Sequence, residues 1–178
     1  MTDFNSILDA GDVDSGLVTT VVEIPKGSSL KAEYDRKKGI FVLDRVEPRI
    51  FAKPTSYGFI PQTLDEDGDE LDTLIVTEEP LPMGLVVPEA RVIGVLIFED
   101  GGEMDHKVVV VPADDRDSAD AVQSLDDLPE GLKNQIVHHF SHYKDLKKPG
   151  TTKVLGWGNI DDAKAIIKEC QERWSQQA

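Results

Sequence analysis

The hydrophobic pattern of this 178-residue chain changes period once, near Asp127. Before that point, apolar residues come in short β-branched or alternating runs closed by Gly and Pro. Leu17 to Ile24, Leu30 to Asp35, Ile40 to Arg45, Thr73 to Thr77, Arg91 to Phe98 and Lys107 to Val111 are predicted strands. Phe51 to Pro61, interrupted by Pro54 and Gly58, is expected to be an ordered loop. Pro80 to Pro88 is expected to be a connection, and Ala113 to Asp127 a solvated loop with a short helix. Beyond Asp127, Leu132, Ile136, Phe140 and Tyr143 recur at helical spacing, in a helix opened by Pro129 and ending near Pro149-Gly150. Lys153 to Leu155 reads as one last strand. Ala163, Ile166, Ile167, Cys170 and Trp174 mark the apolar face of a final helix capped by Asn159. Many short strands followed by two helices predict a mainly β, α+β single domain over residues 1–178: a small β-barrel with two C-terminal helices packed outside. Residues 1–16, polar and Asp-rich, are expected to be a loose lead-in with one short apolar contact at Ile7-Leu8.

The acidic stretch Asp65-Glu66-Asp67-Gly68-Asp69-Glu70-Leu71-Asp72 dominates the chemistry, with six carboxylates in eight residues. On an extended segment Asp67 and Asp69 share a face, with Gly68 free to turn between them and Leu71 free to anchor the segment. Such carboxylates are tolerated either in a solvated turn or around a cation, and oxygen ligands favour Mg²⁺, Mn²⁺ or Ca²⁺. An EF-hand is excluded in both registers. Counting from Asp65 puts Glu70 at the Gly position and Val76 at the final ligand; counting from Thr63 puts Leu74 there. A second acidic turn, Glu99 to His106, lies between two predicted strands, and convergence of the two turns would favour a metal site.

A formal charge of −15 argues against a nucleic-acid groove, which needs a basic footprint. A single cysteine, Cys170, excludes an intrachain disulfide and is expected to be plain core. No secretory signal or membrane-spanning run is expected. His138 and His142 are i, i+4 neighbours, but the Glu that a zinc-protease helix needs beside the first His is missing. Nor is there a GxxxxGK[ST] phosphate loop, a G-x-S-x-G elbow or a credible cysteine nucleophile.

Several further segments align with one known pattern: Glu23-Ile24-Pro25, Lys31 to Asp35, Leu43-Asp44-Arg45, Ser56 to Pro61, Gly102 to Lys107 and His142 to Leu146. Together with Asp67-Gly68-Asp69-Glu70-Leu71-Asp72, which looks like a D-G-D-x-x-D signature, they make the chain resemble the soluble family I inorganic pyrophosphatases from about Val21 to Trp174. The resemblance implies an OB-like, five-stranded closed barrel and Mg²⁺-dependent hydrolysis of pyrophosphate. It also implies Mn²⁺ or Zn²⁺ as substitutes, Ca²⁺ as an inhibitor, and a cytoplasmic homo-oligomer, usually a hexamer in short bacterial or archaeal chains. Carried over by residue, Asp67, Asp72 and Asp105 would hold a first metal, Asp72 would reach a second, and Asp100 and Asp105 would serve one arriving with substrate. Asp69 would be the general base. Lys31, Arg45, Tyr57, Tyr143 and Lys144 would hold the phosphates, Glu23 and Glu33 would line the cavity, and Lys107 would lie among the carboxylates. The chain departs from the family pattern at Lys53, where a Tyr is usual, and at Ala32, Thr73 and Gly101. Lys53 is thereby a candidate for an added phosphate contact or an influence on Asp69. The rivals are a non-catalytic OB-type phosphate- or metal-binding module and a structural calcium-binding protein.

Overall fold

The computed structural model describes residues 3–117 and 121–177. Its centre is a closed five-stranded barrel of β1 (Leu17–Ile24), β4 (Ser56–Phe59), β5 (Asp72–Ile75), β8 (Lys107–Pro112) and β6 (Val86–Asp100), closed by pairing of β6 with β1. β2 (Leu30–Asp35) and β3 (Ile40–Val46) form a separate hairpin. β7 (Glu103–Met104) and β9 (Thr152–Gly158) extend β6. Helix α2 (Glu130–His142) and helix α3 (Ile160–Gln177) pack outside, as the single change of period predicts.

Strand β8 shows why the barrel is covered on both faces. Val108 and Val110 belong to one core cluster with Ala163, Ile167 and Cys170 of α3. Val109 and Val111 belong to another with Ile136, Phe140 and Tyr143 at α2. Alternate residues point to opposite faces, and each face has its own helix. Cys170 is fully buried in the first cluster, and its thiol is pushed up to about 12, chiefly by burial. α3 starts with a reciprocal cap: Asp162 N donates to Asn159 Oδ1 at 3.0 Å and Asn159 N donates to Asp162 Oδ2 at 2.8 Å.

Strand β6 runs for 15 residues and pairs with β1, β8, β7 and β9, which requires it to bend. Its register against β8 shifts between Val92 and Gly94, and a Cβ at Gly94 would lie 2.4 Å from Leu125 Cδ1 and 2.8 Å from Gly158 O. The strand starts at Val86, five residues before the expected Arg91. Pro88 falls where the register with β1 slips between Val18 and Thr20, so its missing N–H breaks no ladder bond.

Three other segments differ from expectation. The 51–61 stretch is not all loop, because Ser56–Phe59 is a fully buried strand pairing with β1 and β5 between its flanking prolines. α2 ends at His142, and turns carry the chain on to Gly150. Residues 3–16 are packed rather than loose. Helix α1 (Phe4–Ile7) inserts Phe4 among Tyr34, Phe41 and Phe59, at ring distances of 5.2, 5.9 and 6.2 Å. Asn5, Ala10 and Val13 are buried; of the expected contact Ile7-Leu8, Leu8 packs against the cluster of Val21, Tyr34 and Phe59, whereas Ile7 is 63% exposed.

Candidate active site

The acidic stretch does not run extended. It folds into a turn in which Asp65 N donates to Asp69 O at 2.8 Å and Gly68 takes φ of 92°, a conformation that favours glycine. The turn sorts the six carboxylates into two groups. Asp65 and Glu66 face the second acidic turn: Asp65 Oδ2 accepts from His106 N at 3.2 Å and Glu66 Oε2 from Met104 N at 3.3 Å. Glu70 Oε1 accepts from Asn5 Nδ2 at 2.7 Å and borders the cavity. Asp67, Asp69 and Asp72 line a cavity of about 230 Å³. Arg36 clamps the turn from the hairpin side, donating to Gly68 O at 2.8 Å with its guanidinium 5.5 Å from the Trp174 ring centre.

The second acidic turn converges on the same cavity. Parallel pairing of β5 with β8 sets Asp72 opposite Lys107. The Lys107 ammonium, 2% exposed, donates to Asp72 Oδ2 at 2.5 Å and also to Asp105. Burial pulls the Lys107 pKa down, but Asp105 and Asp72 together hold it well above the ordinary lysine value. Asp100 receives the ammonium of Lys144 and, at 3.3 Å, the Tyr143 hydroxyl. Tyr57 donates to Asp72. Lys31 pairs with Glu33 at 2.6 Å, and Arg45 pairs with Asp44 and Glu47. Glu23 accepts from Tyr34 N at 2.7 Å and is pushed up to about 8, first by burial and then by Asp72.

Of the residues singled out in the sequence, Glu23, Lys31, Glu33, Arg45, Tyr57, Asp67, Asp69, Asp72, Asp100, Asp105, Tyr143 and Lys144 all line this cavity. Lys107 sits behind its wall, bonded to two of them. Lys53, Glu70, Tyr34, Phe59 and Phe140 also line it; the sequence marked Lys53 as a departure and the other four only as members of longer segments, with no role at the site. Among the lining side chains are eight carboxylates against four cations. That imbalance is felt locally. Asp67 is raised to about 7 by partial burial and then by Asp105, Asp72 and Asp69, and Asp69 is raised by burial and then Glu33. Clustered carboxylates held this close fit hard divalent cations. Among the described residues, no three His, Cys, Asp or Glu side chains close into a metal cage; Asp72 and Asp105 meet on Lys107 instead. His138 and His142 lie ring to ring at 4.7 Å, with His142 Nδ1 2.8 Å from Asp145, and form no such cage either.

The inorganic pyrophosphatase family profile matches residues 20–175. The chain belongs to this family. It is 62% identical over 178 residues to the inorganic pyrophosphatase of Neisseria meningitidis serogroup B, covering all of both chains. It is 59% identical to that of Haemophilus influenzae, covering 99% of each. The crystal structure of an inorganic pyrophosphatase from Neisseria gonorrhoeae superposes with a TM-score of 0.95 at 62% identity, over 97% of this chain and 99% of that one. As an inorganic pyrophosphatase fold, the barrel sets its acidic cavity where β5, β8 and the end of β6 meet the β2–β3 hairpin and the C-terminal end of α2. No helix among the described residues is long and apolar enough to cross a membrane.

Proposed function

We infer that this chain is a hydrolase that converts inorganic pyrophosphate to two orthophosphates in a metal-dependent reaction at the acidic cavity. The observation that carries this is the inward sorting of Asp67, Asp69 and Asp72 beside Asp100 and Asp105, with Lys31, Arg45, Tyr57, Tyr143 and Lys144 around them. An acidic cavity that takes an acidic substrate needs cations between the two. Asp67, Asp72, Asp100 and Asp105 would hold them, with Mg²⁺ as the activating ion, Mn²⁺ or Zn²⁺ as substitutes and Ca²⁺ inhibitory. When bound, the metals would neutralise phosphate charge and acidify the attacking water.

The remaining steps belong to side chains. Asp69 is the general base that takes the proton of the attacking water, and its raised pKa brings it nearer the operating pH. Lys31, Arg45 and Lys144 stabilise charge on the phosphoryl oxygens, and Tyr57 and Tyr143 orient them through hydroxyl donors. Glu23 and Glu33 line the wall and hold Tyr34 N and Lys31. Lys107 keeps Asp72 and Asp105 together. The assembly is a cytoplasmic homohexamer of single-domain chains. The exposed apolar side chains Leu43, Val46, Ile50 and Leu146 support association, and the lone buried Cys170 supports a reducing compartment.

The test is phosphate release from pyrophosphate with Mg²⁺ by wild type and Asp69→Asn. The expected result is turnover by the wild type and a loss of about a hundred- to ten-thousandfold in the variant, with an unchanged circular-dichroism spectrum. An inactive wild type would leave a non-catalytic phosphate- or metal-binding module. An equally active variant would move the base elsewhere.

A further inference from the structure

Two buried lysines of this site lie against the same aromatic rings in contrasting surroundings. Lys107 Nζ and Lys53 Nζ stand 5.7 and 4.9 Å from the centre of the Tyr57 ring, and 5.9 and 5.8 Å from that of Phe140. Lys107 is neutralised by Asp72 and Asp105. Lys53 is 6% exposed and has no carboxylate within ion-pair distance among the described residues. Its other neighbours are the Tyr143 ring, centred 5.3 Å away, and His139 Nε2 at 3.5 Å. His139 is itself buried and stacked on Tyr143, with its pKa pushed down to about 3 by burial and then by Lys53, so it brings no negative charge.

Three aromatic faces offset part of the cost of burying an ammonium, but an unpaired buried charge stays expensive. Proteins keep such a charge where a ligand completes it. Lys53 lines the same cavity as Asp67, Asp69 and Lys31. Its backbone is fixed by Gly27 N donating to Lys53 O at 2.9 Å and Lys53 N donating to Ser28 O at 2.9 Å. We propose that Lys53 is a phosphate-binding cation of this cavity whose counter-charge is supplied by the substrate's phosphate oxygens and not by the protein. The electrostatics agree. Burial, then the charges of Lys31 and Lys107, pull the Lys53 pKa down to about 7 against the weaker opposing pull of Asp72 and Glu47, so a bound anion would favour the charge that these protein groups disfavour. This inference rests on the pyrophosphatase function and adds to it a substrate-binding residue that discriminates phosphate-bearing anions.

The experiment uses Lys53→Met, which keeps the aliphatic stem and removes the charge, with Lys53→Gln as the second variant if the first does not fold. Binding of imidodiphosphate and of inorganic phosphate in Mg²⁺ is measured by calorimetry, and the Tm is measured without either anion. Affinity for both anions is expected to fall roughly ten- to a hundredfold, because a charge-assisted bond is lost. The anion-free Tm is expected to rise, because an unpaired charge has left the interior. Affinities within about twofold of wild type in the variant that folds would overturn the proposal, and a lowered anion-free Tm alongside them would make Lys53 a packing residue. A wild type that neither hydrolyses pyrophosphate nor binds these anions would refute the function beneath the proposal instead.

Discussion

Asn5 Nδ2 donates to Glu70 Oε1 at 2.7 Å, tying the first helix to the far end of the acidic turn across 65 residues of chain. The same side chain ties the near end: Gln62 N donates to Asn5 Oδ1 at 2.7 Å, and Gln62 Nε2 returns to Asn5 O at 2.9 Å. Gln62, at φ of 55°, is the one non-glycine residue at positive φ among the described residues, so its conformation needs such support. Asn5→Leu leaves the half-buried Gln62 amide and the buried Glu70 carboxylate without this partner. Urea denaturation should show a loss of about 2–4 kcal/mol. Turnover should fall more than affinity for pyrophosphate, because Asp67 and Asp69 lose their fixed positions. Wild-type stability and turnover together would remove α1 from the site's support.

Lys107 Nζ bridges two carboxylates, Asp72 and Asp105. Lys107→Met leaves Asp72 and Asp105 facing each other and should cost about 3–5 kcal/mol in chelator, the range for breaking a buried ion pair. Mg²⁺ should recover more stability in the variant than it adds to the wild type, since a divalent ion can take over the neutralising role. Equal Mg²⁺ stabilisation of both proteins would count against that role.

The depressed Lys53 pKa gives a pH signature with a definite sign. The unfolded lysine titrates near 10.5 and the folded one near 7, so between these values the unfolded state binds more protons and stability rises with pH. Below the folded value both states are protonated and the full penalty of the buried charge applies. Without metal, the Tm advantage of Lys53→Met over wild type should be largest near about pH 6 and shrink steadily toward about pH 10. Subtracting the two melting profiles removes the opposing contribution of Glu23, whose pKa is raised. A pH-independent difference would show that Lys53 titrates normally.

Chelation should abolish phosphate release and Mg²⁺ should restore it. Ca²⁺ added to the Mg²⁺ enzyme should then lower the rate, because a larger ion with looser geometry misplaces the attacking water. Unchanged rates in excess chelator would exclude a metal-dependent reaction at Asp67, Asp72, Asp100 and Asp105.

What could be seen in the sequence depended on how local each cause is. Strands β1, β2 and β8 declared themselves through alternation or β-branched runs, and α3 through its apolar face and Asn159. Strand β4 did not, because four residues between Pro54 and Pro61 show too little pattern, and only pairing with β1 and β5 makes them a strand. The start of β6 was hidden by Pro88, which is harmless only because the register slips there. The acidic turn was conspicuous by composition, yet composition could not separate Asp67, Asp69, Glu70 and Asp72 from Asp65 and Glu66. That division is made by His106 and Met104, both remote in sequence. The structure of α1 was invisible for the same reason, since Phe4 and Asn5 act on residues 30 or more positions away.

The parallel pairing of β5 with β8 bears on how the protein folds. Antiparallel neighbours can form through a short turn, but Asp72 meets Lys107 only after the whole of β6 and β7 has been laid down between them. Until then the acidic turn is a self-repelling segment with no internal counter-charge. The pairing that brings Lys107 to Asp72 is among the slow, non-local events of the pathway. Refolding should therefore quicken as ionic strength rises from low salt, where screening stands in for the missing lysine. Recovered catalytic activity should appear with the last kinetic phase and not with the first gain of β-structure.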